Sequence, residues 1–300
     1  MWYGLLILLG TGLGMAIILL LASVAHVVTH PPRRTTGWAV ANGMPTGPED
    51  VQADYEVCKI EDSSKKLLEL WALAGADPQG PCVVVLHGWG DSRLGALAWY
   101  DTLKPIAGRI ILYDQRAHGE SAQRRCTAGR READDAAVVA RWLKQHEPGR
   151  AVVLFGYSMG AAVGIDAAIE CGEVVDAVIA DSPYRNFTEA LATTLRANAL
   201  PARGIAPAAA WLARVPGELI ADRAAQMKQP LLVLHGTGDI IASHDEARRI
   251  AQAAPRGRFV EFEGAGHLQA SSDHPQEYDQ ALRRFAGEVT AEKKARPTET

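Results

Sequence analysis

Gly156-Tyr157-Ser158-Met159-Gly160 sets a serine between two glycines, at the junction of two differently patterned stretches. Before it, Ala151-Val152-Val153-Leu154-Phe155 is a short apolar run of the kind that forms a buried parallel strand, and residues 161–170 after it are small and helix-compatible. Ser158 therefore falls on the turn. A sharp strand-to-helix turn leaves no room for a Cβ at Gly156 or Gly160, and it lifts the serine hydroxyl above the sheet. Such a hydroxyl is a poor nucleophile at neutral pH unless an imidazole takes its proton, and the imidazole needs a carboxylate to hold its tautomer. Both partners lie downstream. Leu231-Leu232-Val233-Leu234 reads as another buried strand and runs into His235-Gly236-Thr237-Gly238-Asp239, and Phe259-Val260-Glu261-Phe262 feeds Glu263-Gly264-Ala265-Gly266-His267. The expectation is a nucleophile at Ser158, a base at His267 and an orienting acid at Asp239. Asp181 is the alternative acid, because it too ends an apolar run. His87, His118 and His235 sit at strand ends or turns and read as structural, and Arg116 reads as a tie within a turn. The five-residue pattern by itself fits a plain strand-to-helix turn equally well, so the expectation rests on all three residues together.

Strand-like runs supply the frame that must hold these residues. Residues 54–60 and 66–73 pattern as an opening hairpin with Asp62-Ser63-Ser64 in its turn. Runs at 83–86, 110–113, 152–155, 177–180, 231–234 and 259–262 then alternate with helical patterns, which predicts a mostly parallel sheet of eight strands flanked by helices. In such a sheet the active residues gather at the carboxyl ends of the strands. Phe187, Leu191 and Leu195 recur at helical spacing before Pro201, and residues 184–227 pattern as a small helical cap over the site. That apolar stripe reads first as a packing surface and second as a pocket lining. Asp134-Asp135, Arg124-Arg125 and Arg130-Arg131 read as solvated faces around a helix from about residue 131 to 146.

Over residues 55–288 the chain resembles the α/β-hydrolase superfamily, and within it the serine aminopeptidase-like and lysophospholipase-like group. The resemblance rests on the turn at Ser158 and the chain order Ser158, Asp239, His267. It rests also on Val83-Val84-Val85-Leu86-His87-Gly88-Trp89-Gly90, Tyr113-Asp114-Gln115-Arg116-Ala117-His118-Gly119-Glu120-Ser121 and Ile179-Ala180-Asp181-Ser182-Pro183-Tyr184. It implies an α/β-hydrolase fold and hydrolysis through an acyl-enzyme. The substrates implied are a small acyl compound: a carboxylic ester, lipid-like or not, a thioester or a short peptide. A non-catalytic binding module on the same fold is the alternative of a different class. The oxyanion formed on attack needs two backbone N–H donors. One is expected from Met159 at the start of a helix and one from Trp89 in the loop that begins at His87-Gly88. The Trp89 ring either walls the acyl pocket or packs under its loop.

Zinc-ligand spacing, nucleotide-binding glycine patterns and phosphate loops are all missing from the sequence, so no cofactor and no metal are expected. A formal net charge of −4 offers nothing to attract nucleic acid. Cys58, Cys82, Cys126 and Cys171 form no disulfide framework. The N-terminus differs from the rest: apart from His26, residues 2–28 carry no ionisable side chain other than Tyr3, and they are long enough to cross a bilayer core of about 30 Å. Residues 1–28 read as one transmembrane anchor, with a cleaved signal peptide ending near Ala25 as the rival reading. Gly10 and Gly14 form a small-xxx-small pair, which leaves the oligomeric state open. Arg33 and Arg34 follow the span, which by the positive-inside rule puts the catalytic domain on the cytoplasmic side of the membrane. Residues 29–50 read as a flexible stalk, 51–289 as the hydrolase domain and 290–300 as a disordered tail.

Overall fold

A computed structural model describes residues 2–296 of the chain. Eight strands form one sheet in the order β1-β2-β4-β3-β5-β6-β7-β8. They are β1 (Tyr55–Glu61), β2 (Leu67–Ala74), β3 (Cys82–Leu86), β4 (Arg109–Tyr113), β5 (Val152–Tyr157), β6 (Ala177–Asp181), β7 (Leu231–Gly236) and β8 (Gly257–Phe262). β2 is antiparallel to β1 and to β4, and every pairing from β4 to β8 is parallel. The inner parallel strands β3, β5, β6 and β7 are buried and mainly apolar because both faces are covered, whereas the edge strand β8 carries Arg258 and Glu261 and is partly exposed. Val84, Leu86, Leu154 and Val178 point to one face, with Val139, Leu143, Val163 and Ile165 of helices Arg130–His146 and Met159–Cys171. Val83, Val85, Val153, Phe155 and Ile179 point to the other, with Leu97, Leu103, and Tyr278 and Phe285 of the C-terminal helix Pro275–Ala295.

Three readings of the sequence need correction. Asp135 is buried, not solvated: its carboxylate takes Arg116 at 2.6 Å and accepts from the Ser63 N–H and hydroxyl. This array ties the β1–β2 turn to helix Arg130–His146, and Arg116 is its centre. The final helix continues to Ala295, so the first six residues of the expected tail are helical; residues 297–300 lie outside those described. The stalk is not free either. Within it, residues 36–41 are a helix, and Arg33 donates to the carbonyls of Gly119 and Ser121 at 2.8 and 2.5 Å. Arg34 pairs with Asp91 at 2.9 Å. Prolines and glycines lower the helix content of a segment, yet they do not prevent it from docking when its charged groups find fixed partners.

The cap consists of helices Phe187–Ala197, Ala202–Ala213 and Ile220–Ala224. The N-terminal helix is one unbroken element, Trp2–Thr29, long and apolar enough by length and composition to cross a membrane. Its last two turns pack on the cap, with Ala25 and Val28 buried against Ala209 and Ala213.

Candidate active site

β5 ends in Tyr157, and the chain turns at Ser158 directly into helix Met159–Cys171. The turn is tight enough to hold Ser158 at φ 53°, ψ −116°, a region that costs a residue with a Cβ on the order of 1–3 kcal/mol. Its glycines make the close approach possible. A Cβ on Gly156 would stand 2.1 Å from the Gly160 carbonyl oxygen, and one on Gly160 would stand 1.8 Å from the Leu86 carbonyl oxygen. The Ser158 hydroxyl is left half-buried, facing an open cavity of about 630 Å³.

The three residues expected to act together converge from three strand ends. His267 Nε2 lies 3.2 Å from Ser158 Oγ, and His267 Nδ1 lies 2.7 Å from Asp239 Oδ2. Asp239 Oδ1 accepts from the N–H groups of Ile241 and Ala242 at 2.8 and 2.9 Å. Burial opposes ionisation of Asp239, but the hydrogen bond and charge of His267 together with those two backbone N–H groups outweigh it. The net effect holds the carboxyl below the usual carboxylate range. A carboxylate fixed on both sides in this way orients the imidazole so that Nε2 faces the serine.

Asp181 also stands at a strand end, yet its carboxylate is directed elsewhere. It accepts from Tyr278 Oη at 2.6 Å and from Ser182 Oγ at 2.8 Å, and is fully buried. Burial pushes its pKa up to about 6, against the pull of those two hydrogen bonds. His87 accepts the Gln115 N–H at Nε2, 3.0 Å, and holds the loop after β3 to the turn after β4. Burial drives the pKa of His118 down to about 3, which keeps it neutral. His235 is fully buried, with Nδ1 2.9 Å from the Gly236 carbonyl oxygen and Nε2 3.6 Å from Asp239 Oδ2. None of the three faces Ser158 as a base would.

The two residues expected to donate to the oxyanion, Met159 and Trp89, line the same cavity as Ser158. Met159 opens the elbow helix, whose N-terminal end favours negative charge. The loop after β3 runs so close that a Cβ on Gly88 would be 3.4 Å from Ser158 Cβ, and Trp89 is the next residue of that loop. Among the described residues neither the Met159 nor the Trp89 N–H donates to another protein group. The Trp89 ring does two jobs at once: it lines the cavity, and its Nε1 donates to the Val28 carbonyl at 3.1 Å.

Phe187, Leu191 and Leu195 of the cap line the cavity, so the apolar stripe is a pocket wall as well as a packing face. Two groups of lining residues escape a reading of the sequence. Tyr157 Oη donates to Asp91 Oδ2 at 2.7 Å and Arg34 donates to Asp91 Oδ1 at 2.9 Å, forming a polar chain on one side of an otherwise apolar cavity. Leu20, Ser23, Val24, Val27 and Val28 of the N-terminal helix form the second group. No local pattern marks either, since both depend on segments far apart in the chain.

A model of the alpha/beta hydrolase family matches residues 83–281. An uncharacterized protein of Mycobacterium tuberculosis is 26% identical over 280 residues, covering 92% of this chain and 94% of its own. A pimeloyl-acyl-carrier-protein methyl ester esterase of Nitrosomonas europaea is 26% identical over 233 residues, 63% of this chain and 89% of its own. An esterase of Pyrococcus furiosus has a similar structure, with a TM-score of 0.71 over 87% of this chain and 98% of its own. At 22% identity that last likeness speaks to the fold.

Proposed function

The chain belongs to the alpha/beta hydrolase family and is an esterase-like hydrolase, and from that premise we propose that it is a membrane-anchored serine esterase whose catalytic residues are Ser158, His267 and Asp239. The observation that carries the proposal is the bridge made by His267, 3.2 Å from Ser158 Oγ on one side and 2.7 Å from Asp239 Oδ2 on the other. His267 Nε2 takes the hydroxyl proton as Ser158 Oγ bonds to the acyl carbon of the ester. The backbone N–H groups of Met159 and Trp89 receive the oxyanion. The acyl carbon–oxygen bond then breaks, and the proton passes from His267 to the departing alcohol. Water, deprotonated by the same imidazole, attacks the acyl-enzyme and releases the acid. An apolar cavity favours an acyl ester over a peptide, whose polar groups would lose their hydration there. A lipid-like ester, and the kinship with the serine aminopeptidase-like and lysophospholipase-like group, belong to this proposal.

The helix Trp2–Thr29 is taken as the anchor, with the domain on the cytoplasmic side, as Arg33 and Arg34 directly after the span suggest. A reporter fused after Thr300 tests that orientation. The catalytic assignment is tested by labelling with a fluorophosphonate probe. Wild-type protein should label and hydrolyse p-nitrophenyl esters; Ser158→Ala should lose labelling and about 10⁴-fold or more in rate while keeping its unfolding midpoint. Labelling that persists in Ser158→Ala would place the nucleophile elsewhere.

A further inference from the structure

The cavity over Ser158 takes one wall from an unexpected source. Leu20, Ser23, Val24, Val27 and Val28 all line it, and their spacing of i, i+3, i+4, i+7 and i+8 is one face of helix Trp2–Thr29. Toward the N-terminus that face continues as Leu13, Ala16 and Ile17, which are exposed. An apolar track therefore runs from the cavity to a surface that no other described part of the chain covers.

Helix length sets where that track meets a bilayer. Twenty-eight residues at about 1.5 Å each extend roughly 42 Å, whereas the hydrocarbon core is about 30 Å thick and takes about 20 residues to cross. Counted from Trp2, the hydrocarbon ends near Leu21. The turns beyond it are the ones packed on the cap, through Ala25 and Val28 against Ala209 and Ala213. The cavity thus begins where the hydrocarbon stops. Trp2 and Tyr3 at one end of the helix, and Trp211 on the cap helix that packs against the other, are exposed. These residue types settle at the two membrane–water interfaces.

We propose that the last turns of the N-terminal helix are a wall of the acyl-binding cavity, and that the substrate is a long-chain acyl ester entering from the lipid phase along the face of Leu13, Ile17, Leu20 and Val24. This rests on Ser158 being the nucleophile. An acyl chain on that route passes between two apolar surroundings. Release into water first would lower its concentration about fourfold for every methylene.

Full-length protein in phosphatidylcholine vesicles is treated with a long-chain alkyl fluorophosphonate bearing a terminal diazirine, irradiated, and mapped by mass spectrometry. The expected result is an adduct on Ser158 with cross-links to residues 20–28. An adduct on Ser158 whose cross-links avoid that segment overturns the wall and leaves the nucleophile standing; no adduct on Ser158 overturns both. In the same vesicles, Val24→Trp and Val27→Trp should lower the palmitate-to-butyrate ratio of kcat/KM for p-nitrophenyl esters. Displacing two methylenes at about fourfold each makes the drop about tenfold or more, and an unchanged ratio overturns the wall. Wild-type enzyme should hydrolyse the palmitate ester faster when it shares the enzyme's vesicles than when it is supplied in a second vesicle population. Equal rates overturn the lipid-phase route.

Discussion

Asp181 ends β6 and Asp239 lies in the turn just after the neighbouring β7, and their surroundings differ. Asp239 receives His267 and two backbone N–H groups, which hold it ionised; Asp181 receives two hydroxyls in a fully buried site, which leaves its pKa up at about 6. Asp239→Asn should leave His267 in the wrong tautomer and cost about 10⁴-fold in kcat, while Asp181→Asn should cost less than about tenfold. Steady-state kinetics with p-nitrophenyl butyrate checks the ranking, and the reverse order would move the orienting acid to Asp181. A pH signature goes with it. Between about pH 4 and pH 6 the unfolded chain releases the Asp181 proton while the folded protein keeps it. That group therefore lowers stability across the window, by on the order of 2–3 kcal/mol. Urea unfolding at a series of pH values should show Asp181→Asn gaining on the wild type by that amount from pH ~4 to pH ~7. A difference that stays flat with pH would refute the shifted carboxyl.

At the scale of the element, the elbow works because β5 and helix Met159–Cys171 meet with no side chain between them. Gly160 presses on the Leu86 carbonyl, where a Cβ would have 1.8 Å and backbone on both sides cannot yield. Gly160→Ala should cost about 3 kcal/mol or more, together with activity, because overpacking here displaces Ser158. Gly164, one turn further along the same helix, is the control. Its Cβ would meet Val178 Cγ1 at 3.4 Å, ordinary contact, and the gain in helix propensity is about 1 kcal/mol. Gly164→Ala should be neutral or mildly stabilising by urea unfolding. Equal losses for the two variants would mean that helix-wide glycine content, not the elbow, sets the requirement.

For the molecule as a whole, the N-terminal segment is a part of the domain as well as an extension from it. Trp89 Nε1 donates to the Val28 carbonyl, the Cys126 N–H donates to the Thr29 carbonyl at 2.8 Å, and Val28 is buried to 2% exposure. Deleting residues 1–19 leaves all of these in place. Deleting residues 1–30 removes them and opens the cavity on one side. The longer deletion should therefore be less stable than the shorter by about 3 kcal/mol or more, from one buried valine and two hydrogen bonds. It should also lose activity on butyrate esters that the shorter deletion retains. Matching unfolding midpoints and rates would show that residues 20–30 are only a tether.

What the sequence determined was local or periodic. Apolar runs located all eight strands to within two residues at their ends, and the flanking glycines put Ser158 on its turn, because strand burial and backbone sterics act between near neighbours. Chain order pointed to His267 and left Asp239 and Asp181 both open as its partner, since each follows Ser158 and precedes His267. Tertiary structure decided whatever depended on residues distant in the chain. It brought His267 within reach of both partners across 109 and 28 positions, and turned Asp181 toward Tyr278 across 97. It also buried Asp135 on Arg116, docked residues 29–50 through Arg33 and Arg34, set Val24 and Val28 against the cap, and brought Val27 to the cavity. An apolar helix reads the same from its own residues whether it faces lipid or a pocket. Only its neighbours in space distinguish the two.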